Sequence, residues 1–370
     1  MRDISRARFL GMAAGAGSAL LLPGAPAAAT TGAGRPGLAH RGVVYEVAAG
    51  DTPATAWSAA RMRADLRAIR HDLHAESVKV TGDGVERLTS TAAEAAERGL
   101  HVWLEPTLGD VPQREILDHL AECGRFAERL RRQGAGVHLS VGCEFVLFVP
   151  GIVPGATAEE RIANLLSGNF DPVQMMRRLR RFTARAAAVG RSVFHGRLTY
   201  AAAQDEEVDW SLFDIVGLDY YSFHRRRSDH VRELRKYTRF GKPLAIMEFG
   251  CCTFEGAPEQ GGMGWDVVDY TKQPPEIKGD LVRSERTQAA YLTDVLSVFE
   301  SMGLYAALAY TFVNAEAPHR RERRLDLDMA SYSIVKTIRD RPDDPSSGRH
   351  WEPKESFHAL ARQYARARRC

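Results

Sequence analysis

Two glutamates carry the chemistry that this sequence offers. Glu144 lies in the run LSVGCEF (139–145) and Glu248 in AIMEFG (245–250), each a lone carboxylate in an apolar segment. An unpaired carboxylate is costly to bury, so one placed there has a partner or a task. Two carboxyl groups facing one another across a cleft suit the cleavage of a glycosidic bond. One, protonated, gives its proton to the leaving oxygen; the other, ionised, attacks the anomeric carbon. The two roles require different affinities for the proton, one raised and one ordinary.

Further polar side chains stand at the ends of strand-like segments: Tyr45, Glu46, Lys79, Asp83, Glu105, Tyr200, Asp219, Tyr220, Tyr221 and Asn314. Tyr220 or Tyr221 is expected to donate a hydrogen bond to Glu248 and hold it ionised. Lys79 and Glu105 are expected to pair with each other or to reach ligand hydroxyls. Tyr200, His224, Trp265 and Asn314 complete the candidate substrate contacts. Trp265 falls in a long glycine-rich segment where a binding lid is plausible. Trp103, in the middle of a strand, is expected to belong to the core.

These residues need a scaffold. After position 40 the chain alternates short apolar runs with amphipathic segments. The spacing predicts strands over 42–47, 77–81, 101–106, 137–148, 192–201, 215–220, 244–249 and 305–312. Helices are expected near 54–73, 86–98, 113–132, 172–189, 229–240 and 284–302, with a last one near 353–366. Segments 150–170 and 250–280 read as long loops. Apolar positions such as Trp57, Met62, Leu66, Ile69 and Leu73 follow the period of a helix. Alternating β and α elements imply a parallel sheet. Eight such repeats fit a closed (β/α)8 TIM barrel better than an open doubly wound sheet. No G-x-G-x-x-G follows the first strand and no G-x-x-x-x-G-K-[ST] occurs, so nucleotide binding loses its usual support. In such a barrel the active site lies at the C-terminal ends of the strands, and strands four and seven face one another across the mouth.

At this point the sequence resembles the clan of retaining (β/α)8 glycoside hydrolases. Its members place an acid/base glutamate at the end of strand four and a nucleophile glutamate at the end of strand seven. The EFG at 248–250 is similar to the nucleophile strand. The stretches LTYAAA (198–203), VDW (208–210) and FDIVGLDYY (213–221) are similar to strands five and six of the β-mannanase-like and galactanase-like branches. The likeness covers about 40–315, and WEPK at 351–354 resembles a closing segment of such barrels. It implies Glu144 as acid/base and Glu248 as nucleophile. The pattern departs in two places. Cys143 stands where the clan has an asparagine that contacts the sugar 2-hydroxyl. Strand eight reads Ala309-Tyr310-Thr311-Phe312 where a tryptophan platform is usual. Both departures leave room for a non-hydrolytic acid/base step on the same scaffold, such as cyclisation or dehydration of a secreted metabolite, or for a glycan-binding barrel without turnover.

The 370 residues carry 50 Lys+Arg against 47 Asp+Glu, a net charge of +3, so charge makes no case for nucleic acid. The expected partner is a carbohydrate or a glycosylated small molecule. Arg2, Arg6 and Arg8 precede a weakly apolar run that ends in A-x-A sites. That is the grammar of an export signal over 1–29, with a Tat-like flavour. A linker over 30–40 would lead into a barrel domain over 41–370. The apolar run is short for a span and no lipobox cysteine follows it, so no stable membrane anchor is expected. The cysteines, 5 in number, show no zinc spacing. No metal, cofactor or disulfide framework is read from them.

Overall fold

The computed structural model describes residues 38–367 apart from 205 and 345. The export signal and most of the linker fall outside the described residues. Eight parallel strands close a barrel: β1 (His40–Val47), β2 (Ser77–Gly82), β3 (His101–Pro106), β4 (Val137–Cys143), β5 (Leu198–Ala202), β6 (Val216–Asp219), β7 (Leu244–Phe249) and, after the small ribbon of β8 (Val268–Asp269) and β9 (Glu276–Ile277), β10 (Ala306–Ala309). The order around the barrel follows the chain, and β10 closes it by pairing with both β1 and β7. The fold is the TIM barrel. Nearly every residue of β2 to β7 is buried, as expected of parallel strands covered on both faces.

Helices α1 (Ala59–His71), α2 (Val85–Glu97) and α3 (Gln113–Arg132) follow the first three strands. Each turns an apolar stripe inward: Met62, Leu66 and Ile69; Leu88, Ala92 and Ala95; Ile116, Leu120, Cys123 and Ala127. The strand expected to reach 148 ends at Cys143, and Phe145–Phe148 form the one-turn helix α4 instead. The segment 150–170, expected as a loop, holds α5 (Ala158–Leu166) before α6 (Pro172–Val193). Asp171 caps α6 by accepting from Val173 and Gln174 N–H, and Pro172 takes its first position. The basic run 177–181 lies largely on its exposed side.

α6 runs through Gly190 to Val193, so the strand expected from 192 begins only at Leu198. Gly190 is no stop signal. A Cβ there would lie 2.9 Å from Leu198 Cδ1 and 3.0 Å from Val141 Cγ1, so the glycine lets the helix lie close against the barrel wall. Strand eight is likewise shorter than expected, because the chain leaves the ladder after Ala309.

Helices α7 (Arg227–Thr238) and α8 (Glu285–Ser301) flank β7 and its long excursion. The polar tail holds an antiparallel pair, β11 (Val335–Arg339) with β12 (Arg349–Pro353), then α9 (Glu355–Ala367). The tyrosine at 364 of α9 donates to Gly42 O of β1 at 2.8 Å, which ties the tail to the barrel.

Candidate active site

The C-terminal ends of five strands deliver one buried cluster. Lys79 comes from β2, Glu105 from β3, Glu144 from the residue after β4, Asp219 from β6 and Glu248 from β7. Lys79, Glu105 and Glu248 are fully buried, while Glu144 and Asp219 are 4% and 2% exposed. Lys79 Nζ lies 2.9 Å from Glu105 Oε1 and 2.6 Å from Glu248 Oε1. Thr81 adds a hydroxyl to Glu105 Oε1 at 3.0 Å. Tyr221 donates to Glu248 Oε2 at 2.8 Å. Both oxygens of Glu248 therefore carry a donor, one cationic and one neutral, which orients the carboxylate.

Cys143 joins the two halves of the cluster. Its Sγ lies within 4.8 Å of carboxylate oxygens of Glu105 and Glu248, and also within 4.8 Å of oxygens of Glu144 and Asp219. Those oxygens of Glu144 and Glu248 are thus no farther apart than twice that distance. The thiol donates to Asp219 Oδ2 at 3.2 Å, while Asp219 Oδ1 is buried with no hydrogen-bond partner. Asp219 also stands opposite Glu248 in the β6–β7 register.

The electrostatics follow from four carboxyl groups around one ammonium. Burial works against the charge of Lys79, but Glu105, Glu248 and Asp219 outweigh it and hold Lys79 protonated beyond its ordinary range. Burial, then the Glu248 charge, push the Asp219 carboxyl well up, against the pull of Lys79. The same two causes push Tyr221 up, so its phenol remains a donor. Lys79 already supplies positive charge between Glu105 and Glu248, where carboxylates and Cys143 would otherwise offer ligands to a metal ion.

The backbone that presents Glu144 is unusual. Its φ of 40° and ψ of 58° are left-handed, and the residue turns β4 into α4. Glu144 N donates to Ala201 O at 2.9 Å, and Phe145 N to the Tyr200 hydroxyl at 2.6 Å. Tyr200 in turn donates to Glu206 Oε2 at 2.7 Å.

The expected site residues separate into groups. Glu144, Glu248, Lys79, Glu105 and Tyr221 meet. Lys79 and Glu105 pair as expected, and of the two candidate tyrosines it is Tyr221 that reaches Glu248. Tyr220 points elsewhere: its hydroxyl lies 2.6 Å from His230 Nδ1 and 3.1 Å from Glu233 Oε2. His224 Nε2 is 2.8 Å from Glu233 Oε2 in that same network. Tyr200 is fully buried and braces the turn at Glu144. Trp265 and Asn314 line a shallow pocket beside the mouth with Tyr270, Glu316, Ala317, Leu327 and Ala330. The Trp265 indole N–H is buried there without a partner. Trp103 is fully buried in the barrel interior, as expected. Cys123, Cys143, Cys251 and Cys252 are free thiols.

The sequence reading noted Asp219 at a strand end but gave it no role, and it gave none to Tyr332. Asp219 had the right address, the last residue of a strand, but its register opposite Glu248 is visible only in the folded barrel. Tyr332 comes from the tail. Its ring centroid lies 5.5 Å from that of Tyr221 and 6.0 Å from that of Tyr310. Its hydroxyl donates to Gly261 O and accepts from Gly264 N, so it also fastens the excursion after β7. His319 Nδ1 lies 2.9 Å from an oxygen of buried Asp326.

The closed parallel barrel, with Glu144 and Glu248 at the C-terminal ends of β4 and β7, is the arrangement that the resemblance to (β/α)8 glycoside hydrolases implied. Solved structures similar to this chain are of that class. A GH113 beta-1,4-mannanase in complex matches at 14% identity over 89% of this chain and 99% of its own, with a TM-score of 0.56. The GH113 beta-mannanase of Alicyclobacillus acidocaldarius matches at 16% identity over 89% and 98%, with a TM-score of 0.53. Beta-glucuronidase 2 of Bacteroides uniformis matches at 13% identity over 90% of this chain and 35% of its own, with a TM-score of 0.54. No protein-family model and no curated protein sequence matches the chain. At these identities the likeness is one of fold.

Proposed function

We propose that the protein is an exported glycoside hydrolase that cleaves by retention, with Glu248 as nucleophile and Glu144 as acid/base. The observation that carries this reading is the double donation to Glu248. Lys79 and Tyr221 hold its two oxygens, so the carboxyl group is fixed in orientation beside a cation when the anomeric carbon arrives. Glu144, protonated, gives its proton to the leaving oxygen as the Glu248 oxygen bonds to the anomeric carbon. In the second half, Glu144 takes a proton from water, and that water displaces Glu248 and frees the sugar. Asp219, Tyr221 and Lys79 set the charge around this exchange. The substrate is a carbohydrate or a glycosylated small molecule, and Trp265 and Asn314 line a small cavity beside the mouth.

The test uses a cyclophellitol-type aziridine or a 2-deoxy-2-fluoro glycoside on the purified chain, with mass spectrometry of the digest. A sugar adduct on the peptide carrying Glu248, and product released with the substrate's anomeric configuration, are expected. Glu248→Gln should lower turnover by at least about a thousandfold. Product of inverted configuration would end the nucleophile assignment.

A second reading is favoured by Cys143, whose thiol is engaged with Asp219 at the clan's asparagine position, and by Tyr310, whose hydroxyl donates to Glu46 at 3.1 Å. On it, the same carboxylates run a non-hydrolytic proton transfer. Turnover of an unglycosylated metabolite, lost in both Glu144→Gln and Glu248→Gln, would select that reading.

A further inference from the structure

The opposite end of the barrel holds a second cluster that the proposed reaction does not use. His40 opens β1, His101 opens β3 and His138 stands second in β4. One ring nitrogen of each lies within 4.8 Å of those of the other two. The ring centroids are 4.2 Å apart for His40 and His101, 4.3 Å for His101 and His138, and 5.7 Å for His40 and His138.

The hydrogen bonds around these rings leave lone pairs over. His138 Nδ1 is 3.1 Å from Val137 O, and a carbonyl only accepts, so Nδ1 carries the ring proton and Nε2 carries a lone pair. His40 Nδ1 is 3.1 Å from Ser77 Oγ. The Nε2 atoms of His40 and His138 both face the Tyr305 hydroxyl, at 3.2 Å and 2.8 Å. That hydroxyl has a single proton to give. His101 Nε2 is buried with no partner at all.

Protons do not make up the difference. Burial, with the neighbouring imidazoles and Arg197, holds His101 down at about 2 and His40 and His138 at about 4. All three rings are neutral at ordinary pH, which is the form that binds a metal ion.

We propose that His40, His101 and His138 form a structural site for a divalent transition-metal ion of the zinc type at the floor of the barrel. Imidazole nitrogens suit zinc, and the fourth position of the tetrahedron falls to the Tyr305 oxygen or to water. Ser77 Oγ and Val137 O fix two of the rings from behind, as second partners do at metal-bound histidines. The ion would staple β1 to β3 and β4, strands that do not neighbour β1 in the barrel order. Arg197 tunes the site against the ion. Its guanidinium carbon lies 5.3 Å from the Tyr305 ring centroid, and its charge disfavours any added cation as it disfavours protons.

The experiment uses the untagged full chain stripped with EDTA. Zinc is titrated against a chromophoric chelator, and cobalt(II) is added in parallel for its visible spectrum. The expected result is one equivalent bound, with the absorption of tetrahedral cobalt. His101→Gln, with an unchanged far-UV circular dichroism spectrum, should bind at least about tenfold more weakly, and Ser77→Ala about tenfold more weakly. Arg197→Gln should bind more tightly. Should His101→Gln fail to fold, His138→Gln serves in its place. Absence of stoichiometric uptake, or uptake untouched by these histidine variants, overturns the proposal. Glu248→Gln should bind zinc as the parent does, so the inference stands or falls apart from the hydrolase reading.

Discussion

Asp219 shows how one side chain is set by the charges around it. Asp219, Glu105, Glu144 and Glu248 are buried together with Lys79 as the cation, and like charges that close cannot all remain ionised. The Asp219 carboxyl is pushed well up, by burial first and the Glu248 charge second. The folded protein then keeps a proton on Asp219 that the unfolded chain releases above the ordinary value of 3.8. Its contribution to stability is full below that value and is lost as pH rises toward the folded value. Asp219→Asn keeps the shape and removes the titration. Its stability relative to the parent should therefore rise between pH 4 and pH 8, as urea unfolding at the two pH values would measure. An equal difference at both would mean that Asp219 is ionised in the fold. Lys79 plays the complementary part: it sits between Glu105 and Glu248, so the nucleophile's charge is balanced before any substrate binds.

At the scale of elements, the end of β4 does the positioning. Glu144 occupies a left-handed backbone conformation that only glycine adopts without strain. Its neighbours hold it there: Ala201 O takes its N–H, and Tyr200, braced by Glu206, takes the next one. Glu144→Gly and Glu144→Ala should both abolish turnover, but the glycine variant should be the more stable by about 1 kcal/mol, read from urea midpoints at equal m-values. Equal stabilities would show that the turn relaxes when the carboxylate is removed.

The same elements show what could be read beforehand. Apolar runs and helical spacing placed the barrel strands and the flanking helices, and the clan-like residues placed Glu144 and Glu248 at the right ends. A glycine that ends a helix and one that lets a helix pack closely look alike in sequence, so Gly190 gave no sign that the helix expected over 172–189 runs on to Val193. Tyr220 and Tyr221 are adjacent, and only the direction of the chain leaving β6 decides which reaches Glu248. His40, His101 and His138 were invisible as a group because three separate strands bring them together, without the local spacing by which a metal site is recognised.

For the whole molecule, the tail is part of the barrel rather than an appendage. Arg283, at the end of the excursion after β7, lies 3.0 Å from Asp326 and 2.8 Å from Asp328, and Lys354 lies 2.9 Å from Asp328 on its other side. Asp328 and Lys354 are fully buried. Burial, the largest influence on Lys354, pulls its ammonium down, while Asp328 supports the charge. This clasp holds the excursion, the segment that carries Tyr332 and the start of α9 in one place, and Tyr332 then packs on Tyr221 beside the nucleophile. Breaking a buried ion pair from one side leaves a charge without compensation, which costs about 3–5 kcal/mol. Asp328→Ala should therefore destabilise the protein by about that much and open the excursion to proteolysis before the barrel itself. Lys354→Met added to Asp328→Ala removes the stranded charge and should recover about half of the loss. If the double variant is no more stable than Asp328→Ala alone, the clasp acts through Arg283, and the excursion rather than α9 is what it secures.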